Sequence, residues 1–285
     1  IVEEAGFELK LLEKYTEKSQ LLEAVADVDA IIVRSDKITR EVLEAAKNLK
    51  IVVRAGAGYD NIDLDAATEK KVVVMNTPGQ NSNAVAELVL GMMVYMARGQ
   101  FDGKSGSELM GKKLGLHAYG NVGRNVARIA KGFGMEVSAY DPYISAEAIA
   151  KEGVKSVCCV NTLFGQNQYV SLHIPATPET VGSINYDLMM SMPKNAVLVN
   201  AARGEVINEA DLVKVMQERA DFKYISDIAP NNAAEIAEKF PGRYYFTPKK
   251  MGAQTEEANI NAGLAAAAQI RDFIKEGVTK YQVNK

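Results

Sequence analysis

The 285-residue sequence has no tryptophan, two histidines and two cysteines. The cysteines, Cys158 and Cys159, are adjacent, which excludes a disulfide framework and does not match zinc-ligand spacing. Reduced cytosolic thiols are the simplest reading, and no metal site is expected. Charge of one sign is missing too: 33 basic residues face 36 acidic ones, with no Lys/Arg run, so nothing suggests an electrostatic nucleic-acid surface. Apolar stretches such as Leu88 to Met96 fall far short of the ~20 residues of a spanning helix. No segment reads as a secretory signal. These absences predict a soluble, cytoplasmic protein with neither nucleic-acid nor membrane partners. The 47% hydrophobic and 24% charged fractions suit a globular chain. The length fits two compact domains at roughly 100–200 residues each. The first residue is Ile1 rather than methionine, so a longer natural chain is expected.

Strand-like and helix-like segments alternate along most of the chain. Apolar runs at Ala30 to Val33, Ile51 to Arg54 and Val72 to Met75 bracket helical patterns from Thr39 to Asn48, with Thr39 as N-cap, and from Asp63 to Lys70. Ser82 or Asn83 caps a helix carrying Ala84 to Met96, apolar on most sides and expected to be buried. Further strands are predicted at Lys113 to His117, Val137 to Tyr140, Tyr169 to His173, Ala196 to Asn200 and Tyr224 to Asp227. Helices lie between them, and an Ala-rich helix spans about Glu256 to Lys275. Repeated βαβ units imply an α/β fold with parallel sheets covered on both faces. Gly99 to Gly111 and Pro230 to Pro241 are expected as surface loops, because they combine Gly, Pro, Asn and charge.

The most informative stretch is Ala118-Tyr119-Gly120-Asn121-Val122-Gly123, entered from an apolar strand and left by a helix. Gly120 lets the backbone approach a pyrophosphate, Gly123 lets helix pack on strand, and the helix N-terminus offers N–H donors to the anion. Asp141, 18 residues beyond Gly123, ends a second strand. A carboxylate there can accept both ribose hydroxyls and repel a 2′-phosphate, which favours NAD over NADP. Alanine at the first glycine position departs from the fingerprint, and a positive φ there would strain it.

Several ordered motifs now resemble one family, the D-isomer-specific 2-hydroxyacid dehydrogenases, and within it the branch acting on phosphoglycerate. They are Val33-Arg34-Ser35, Arg54 to Asp63, Asn76 to Gly79, Asn81 to Leu88, His173-Ile-Pro175, Asn200 to Gly204, Ser226-Asp227, and Thr247-Pro248 with Gly252-Ala253. The resemblance implies two Rossmann-like, flavodoxin-like doubly wound domains with the ligands in a cleft. Residues 1–82, completed by 253–285, would form a substrate-binding domain and residues 83–252 an NAD-binding domain. The substrate domain of relatives opens with a strand and a helix, and Ile1 to Ala5 resembles the start of that helix. Homodimerisation is implied as well.

Oxidising a 2-hydroxy acid needs a cation for the carboxylate and developing carbonyl, and a base for the hydroxyl proton. Arg203, just past a strand end, is the candidate cation. The family's histidine after Thr-Pro is missing, and Asn232 stands where its orienting glutamate is usual. Counting from either side puts Lys249 or Lys250 at the histidine position. A lysine can serve if burial or a nearby cation such as Arg203 favours its neutral form. The cofactor residues implied are Ala118 to Gly123, Asp141, His173, Pro175, Thr180, Ala201 and Asp227, with Asp227 accepting from the nicotinamide amide. Arg34, Ser35, Lys37, Arg54 and Asn81 are expected around the substrate, its carboxylate on the Ala55 and Gly56 amides. The three cations would suit a phosphate, hence oxidation of 3-phosphoglycerate to 3-phosphohydroxypyruvate, the first step of serine biosynthesis. A hydroxypyruvate or glyoxylate reductase of the same family is the nearest alternative. An NAD-sensing, corepressor-like binding protein is the alternative of another class.

Overall fold

The computed structural model describes residues 1–284. These divide into two compact units, residues 1–81 with the chain from Thr255 onward, and residues 82–254.

The first unit begins in turns. Residues 1–6 are not helical: Gly6 takes a φ of +85°, and the first helix is α1 (Lys18–Ala24). This corrects the expectation of a helix over Ile1 to Ala5. Strands β1 (Ala30–Val33), β2 (Ile51–Arg54) and β3 (Val73–Asn76) then pair in parallel in that order. Ile51, Val52 and Val53 are all fully buried, as a central strand covered on both faces requires. Helices α2 (Arg40–Ala45) and α3 (Leu64–Glu69) press Val42, Leu43, Ala66 and Ala67 on one face. Asp63 caps α3, its side chain accepting from the Ala66 amide. The last helix, Glu256–Glu276, presents Ala262, Ala266 and Ile270 to Ile51, Val53 and Met75 on the other face. Buried Asn284 fastens the chain end to the sheet, accepting from the Val74 amide and donating to the Val72 carbonyl.

The second unit opens with α4 (Ser82–Ala97). It continues through β4 (Lys113–His117), α5 (Asn121–Gly132), β5 (Glu136–Tyr140), α6 (Ala146–Lys151), β6 (Lys155–Ser156) and α7 (Val160–Gln166). Then follow β7 (Tyr169–Leu172), α8 (Tyr186–Ser191), β8 (Val197–Asn200), α9 (Glu209–Glu218), β9 (Lys223–Ser226), α10 (Ala233–Lys239) and β10 (Tyr244–Phe246). The seven strands are parallel in the order β10-β9-β8-β7-β4-β5-β6. The order reverses between β4 and β7, and in open α/β sheets that reversal opens a ligand crevice at the carboxyl ends of the strands. Val89, Met93 and Met96 of α4 and Val126 and Ala130 of α5 fill one face. Phe164, Met189, Leu212 and Met216 fill the other.

One expected loop is not a loop. The stretch from Pro230 to Pro241 contains α10, because Ile236 and Phe240, one helical turn apart, are both buried. Burying an isoleucine side chain contributes about 1.5–3 kcal/mol, enough to outweigh the turn-forming residues around it. The stretch from Gly99 to Gly111 is irregular apart from one 3₁₀ turn at Gly99–Phe101.

Candidate active site

The turn from β4 into α5 is built by close approach. A Cβ on Gly123 would stand 2.4 Å from the Ala118 carbonyl oxygen, so only glycine fits there. Ala118 itself has a φ of +83°, a conformation that costs a non-glycine residue about 1–3 kcal/mol. Gly120 is the N-cap of α5 and has open space where a Cβ would stand. No side chain caps α5, so its first amides, from Asn121, Val122 and Gly123, are available to an anion.

Asp141 is not free for a ligand alone: Oδ2 accepts from the Tyr119 amide and Oδ1 from the Tyr143 amide, each at 2.8 Å. A carboxylate has about four acceptor positions, so this one fixes the turn and keeps capacity for hydroxyls. The Tyr119 side chain points into the protein. It is buried, its phenol donates to Glu152, and the Arg124 guanidinium lies over its ring and pairs with Glu152. Tyr119 therefore faces a ligand only through its main chain.

His173 follows β7, and its amide donates to the His117 carbonyl at 2.9 Å. His173 Nε2 and His117 Nδ1 are both sealed from solvent without a hydrogen-bond partner. Burial pushes His117 down to about 4, opposed in part by the Asp141 charge, and pushes His173 down to about 3, with His117 acting the same way. Both imidazoles are neutral at pH 7, so neither is poised as an acid or base there. Thr180 closes the following turn, donating to the Pro175 carbonyl and accepting from the Thr177 amide. A dinucleotide fits this edge: uncapped helix amides, a glycine at closest approach, a carboxylate at the next strand end and an unpartnered imidazole nitrogen.

At the ends of β8 and β9, Ala201, Ala202, Arg203 and Gly204 line one depression with Ser226, Asp227, Ile228 and Lys250. Asn200 shapes it: its side chain donates to the Arg203 carbonyl and accepts from the Ala202 amide, closing the turn that carries Arg203. Asp227 is almost fully buried and holds the loop after β10. It accepts from Thr247 Oγ1, the Met251 amide and the Gly252 amide. That loop carries both lysines, and the geometry separates them. Lys250 lines the depression with Arg203; Lys249 does not. Asn232 does not reach toward the lysines, since its side-chain amide donates to the Glu209 carbonyl of α9. The sequence reading missed the bonds from Asn200 and Asp227. Their signals were an Asn three residues before the Arg, and a Thr at the start of the loop.

In the first unit, Arg54 Nε donates to the Arg34 carbonyl, and the Arg34 guanidinium bonds Asn259 Oδ1. Ser35 and Lys37 are exposed and Asn81 is half-buried. Sequence reasoning had the Ala55 and Gly56 amides holding a carboxylate. The structure corrects this: Ala55 donates to Val33 O at 2.8 Å and Gly56 to Arg54 O at 2.9 Å. Each backbone N–H is a single donor, so both are committed. The small residue at 56 serves Arg54 instead, whose guanidinium occupies the space of a Gly56 Cβ.

The sequence matches the family described as D-isomer specific 2-hydroxyacid dehydrogenase, catalytic domain, over residues 1–284. The chain belongs to that family. Among curated relatives, a D-3-phosphoglycerate dehydrogenase of Methanocaldococcus jannaschii is 39% identical over all of this chain and 56% of its own. A hydroxypyruvate reductase of Thermotoga maritima is 40% identical over 72% of this chain and 70% of its own. This chain thus spans about half the length of the curated phosphoglycerate dehydrogenases it matches. Among solved structures, an NAD+-bound 3-phosphoglycerate dehydrogenase of Entamoeba histolytica is 48% identical. It superposes with a TM-score of 0.86 over 99% of this chain and 91% of that one. Among the described residues no helix is long and apolar enough to cross a membrane, and no group of three His, Cys, Asp or Glu could hold a metal ion.

Proposed function

We propose that this chain is an NAD-dependent D-3-phosphoglycerate dehydrogenase, converting 3-phosphoglycerate to 3-phosphohydroxypyruvate. The observation that carries the reading is that Arg203, Asp227 and Lys250 line one depression, on the same sheet as a dinucleotide turn. The likeness to the Entamoeba histolytica structure and to the curated phosphoglycerate dehydrogenases supports it.

NAD, when bound, supplies the hydride acceptor. The protein's own part is proton and charge management. Lys250 takes the hydroxyl proton, for which it must first be neutral. Lys250 is exposed, so burial does not favour that form, whereas a positive charge nearby, such as that of Arg203 in the same depression, does. Arg203 grips the substrate carboxylate and stabilises the oxygen that becomes a ketone. Asp227 fixes the lysine loop through three hydrogen bonds and keeps acceptor capacity for a nicotinamide amide. Arg34, Lys37 and Arg54 supply positive charge for a phosphate. The reading carries with it a homodimer, a cytoplasmic location and a place in serine biosynthesis.

The test is NADH formation with 3-phosphoglycerate, glycerate and lactate, and NADH consumption with hydroxypyruvate and its phosphate. Turnover that requires the phosphate supports the proposal. Equal turnover of unphosphorylated hydroxypyruvate would make the chain a hydroxypyruvate reductase, the activity named for the Thermotoga maritima relative. NAD binding with no oxidation of any substrate would leave a cofactor-sensing protein instead.

A further inference from the structure

Cys158 and Cys159 take no part in the reaction above, yet they form a pair with defined geometry. They follow β6 and lead into α7, with Cys158 exposed and Cys159 half-buried. Their sulfurs lie 3.6 Å apart. The Thr162 hydroxyl sits 3.4 Å from one sulfur and 3.2 Å from the other. We propose that Cys158 and Cys159 form a dithiol site for a monosubstituted trivalent arsenical, which bridges the two sulfurs.

Three arguments select that chemistry. First, the peptide between the cysteines is trans, so their Cα atoms are about 3.8 Å apart, shorter than the roughly 4.4–6.8 Å a disulfide spans. A direct sulfur–sulfur bond is therefore strained, whereas one larger bridging atom suits the separation. Second, no third His, Cys, Asp or Glu joins the pair among the described residues. Zinc, which takes about four ligands in structural sites, is poorly served. An organic arsenical already carries one bond to carbon and needs two thiolates, and soft thiolates favour such thiophilic centres. Third, hydrogen bonds from Thr162, from its hydroxyl and its backbone, and from the Cys158 thiol draw Cys159 below the ordinary thiol value, and the thiolate is the attacking form.

The step balances without a redox change. Each thiol gives up its proton, two As–S bonds replace the As=O bond of an arsine oxide, and the oxygen leaves as one water. The probe is phenylarsine oxide added to the whole protein, read by intact mass and by titration. One adduct per chain is expected, heavier by the arsenical less one water, removed by ethanedithiol and resistant to an equal thiol concentration of a monothiol. Cys158→Ser and Cys159→Ser are each expected to weaken binding about 100-fold or more, the loss of a chelate's effective concentration. Both variants should keep the parent's circular dichroism and NAD affinity. Single-cysteine variants that bind as tightly as the parent, or a parent that takes up no arsenical at equimolar concentration, would overturn the assignment. So would loss of two hydrogens to an intramolecular disulfide under mild diamide at the same rate as arsenical uptake.

Discussion

The Asp227 carboxylate holds Gly252: Oδ2 accepts the Gly252 amide at 2.8 Å, while Oδ1 takes the Met251 amide at 2.8 Å and the Thr247 hydroxyl at 3.1 Å. A Cβ at Gly252 would stand 2.8 Å from Oδ2 and 3.2 Å from Val85, so the loop sits close to both. Lys249 and Lys250 lie between these anchors. Asp227→Asn keeps the volume but turns one acceptor into a donor that faces an N–H group. The expected loss is about 1–3 kcal/mol in denaturant unfolding, with faster proteolysis between 247 and 252. Unchanged stability and unchanged cleavage would mean these bonds do not hold the loop in solution.

Lys250 lines the depression with Arg203 and Lys249 does not. Lys250→Ala should lower kcat by about 10²–10⁴-fold, the usual worth of a general base, with NAD affinity kept. Lys249→Ala should stay within a few-fold of the parent. A reversed ranking of the two lysines would sink the assignment.

Two glycine exchanges at the β4–α5 turn should act in opposite directions. Ala118→Gly relieves a positive φ, worth about 1–3 kcal/mol, against about 0.4–1 kcal/mol of added unfolded-state entropy. Thermal unfolding should show a small net gain. Gly123→Ala drives a methyl into the Ala118 carbonyl and should weaken NAD binding measured by calorimetry. An Ala118→Gly variant less stable than the parent would argue against the strained turn.

Acid should destabilise the second unit through the imidazoles of His117 and His173. The folded values lie at about 4 for His117 and about 3 for His173, below the ordinary 6.5 or so. The unfolded chain therefore binds more protons as pH falls below about 6.5. Stability should drop by up to about 1.4 kcal/mol per pH unit per histidine until the folded values are reached. His117→Phe, which keeps a ring beside Tyr140 and Phe164, should remove about one proton's share of that slope. Urea midpoints from pH 7 to pH 4 measure it, and an unaltered slope would mean His117 is not held neutral.

The short β-branched runs from Ala30 to Ser226 and the strand–turn–helix around Gly120 and Gly123 were legible in the sequence. Apolar periodicity and the steric demands of a tight turn are local properties of the chain. Asp141 was legible for the same reason, since one βαβ unit fixes its distance from the turn. Helix α10 was not, because its signal is two apolar residues inside a segment rich in turn formers, and only the core they enter outweighs those formers. Nor could counting choose between Lys249 and Lys250, because counting from the two ends of the loop gives different answers. Asp227 fixes that loop through bonds to residues 20 to 25 positions away. The Ala55 and Gly56 amides teach the same lesson in reverse, since small residues at a strand end suggest open donors until Val33 and the turn at Arg54 are seen to use them. Local sequence determined the elements and the residue types the chemistry needs. Contacts between segments distant in sequence decided which donor, acceptor and lysine each element presents, because a hydrogen bond is made only where the packed chain brings both partners within reach.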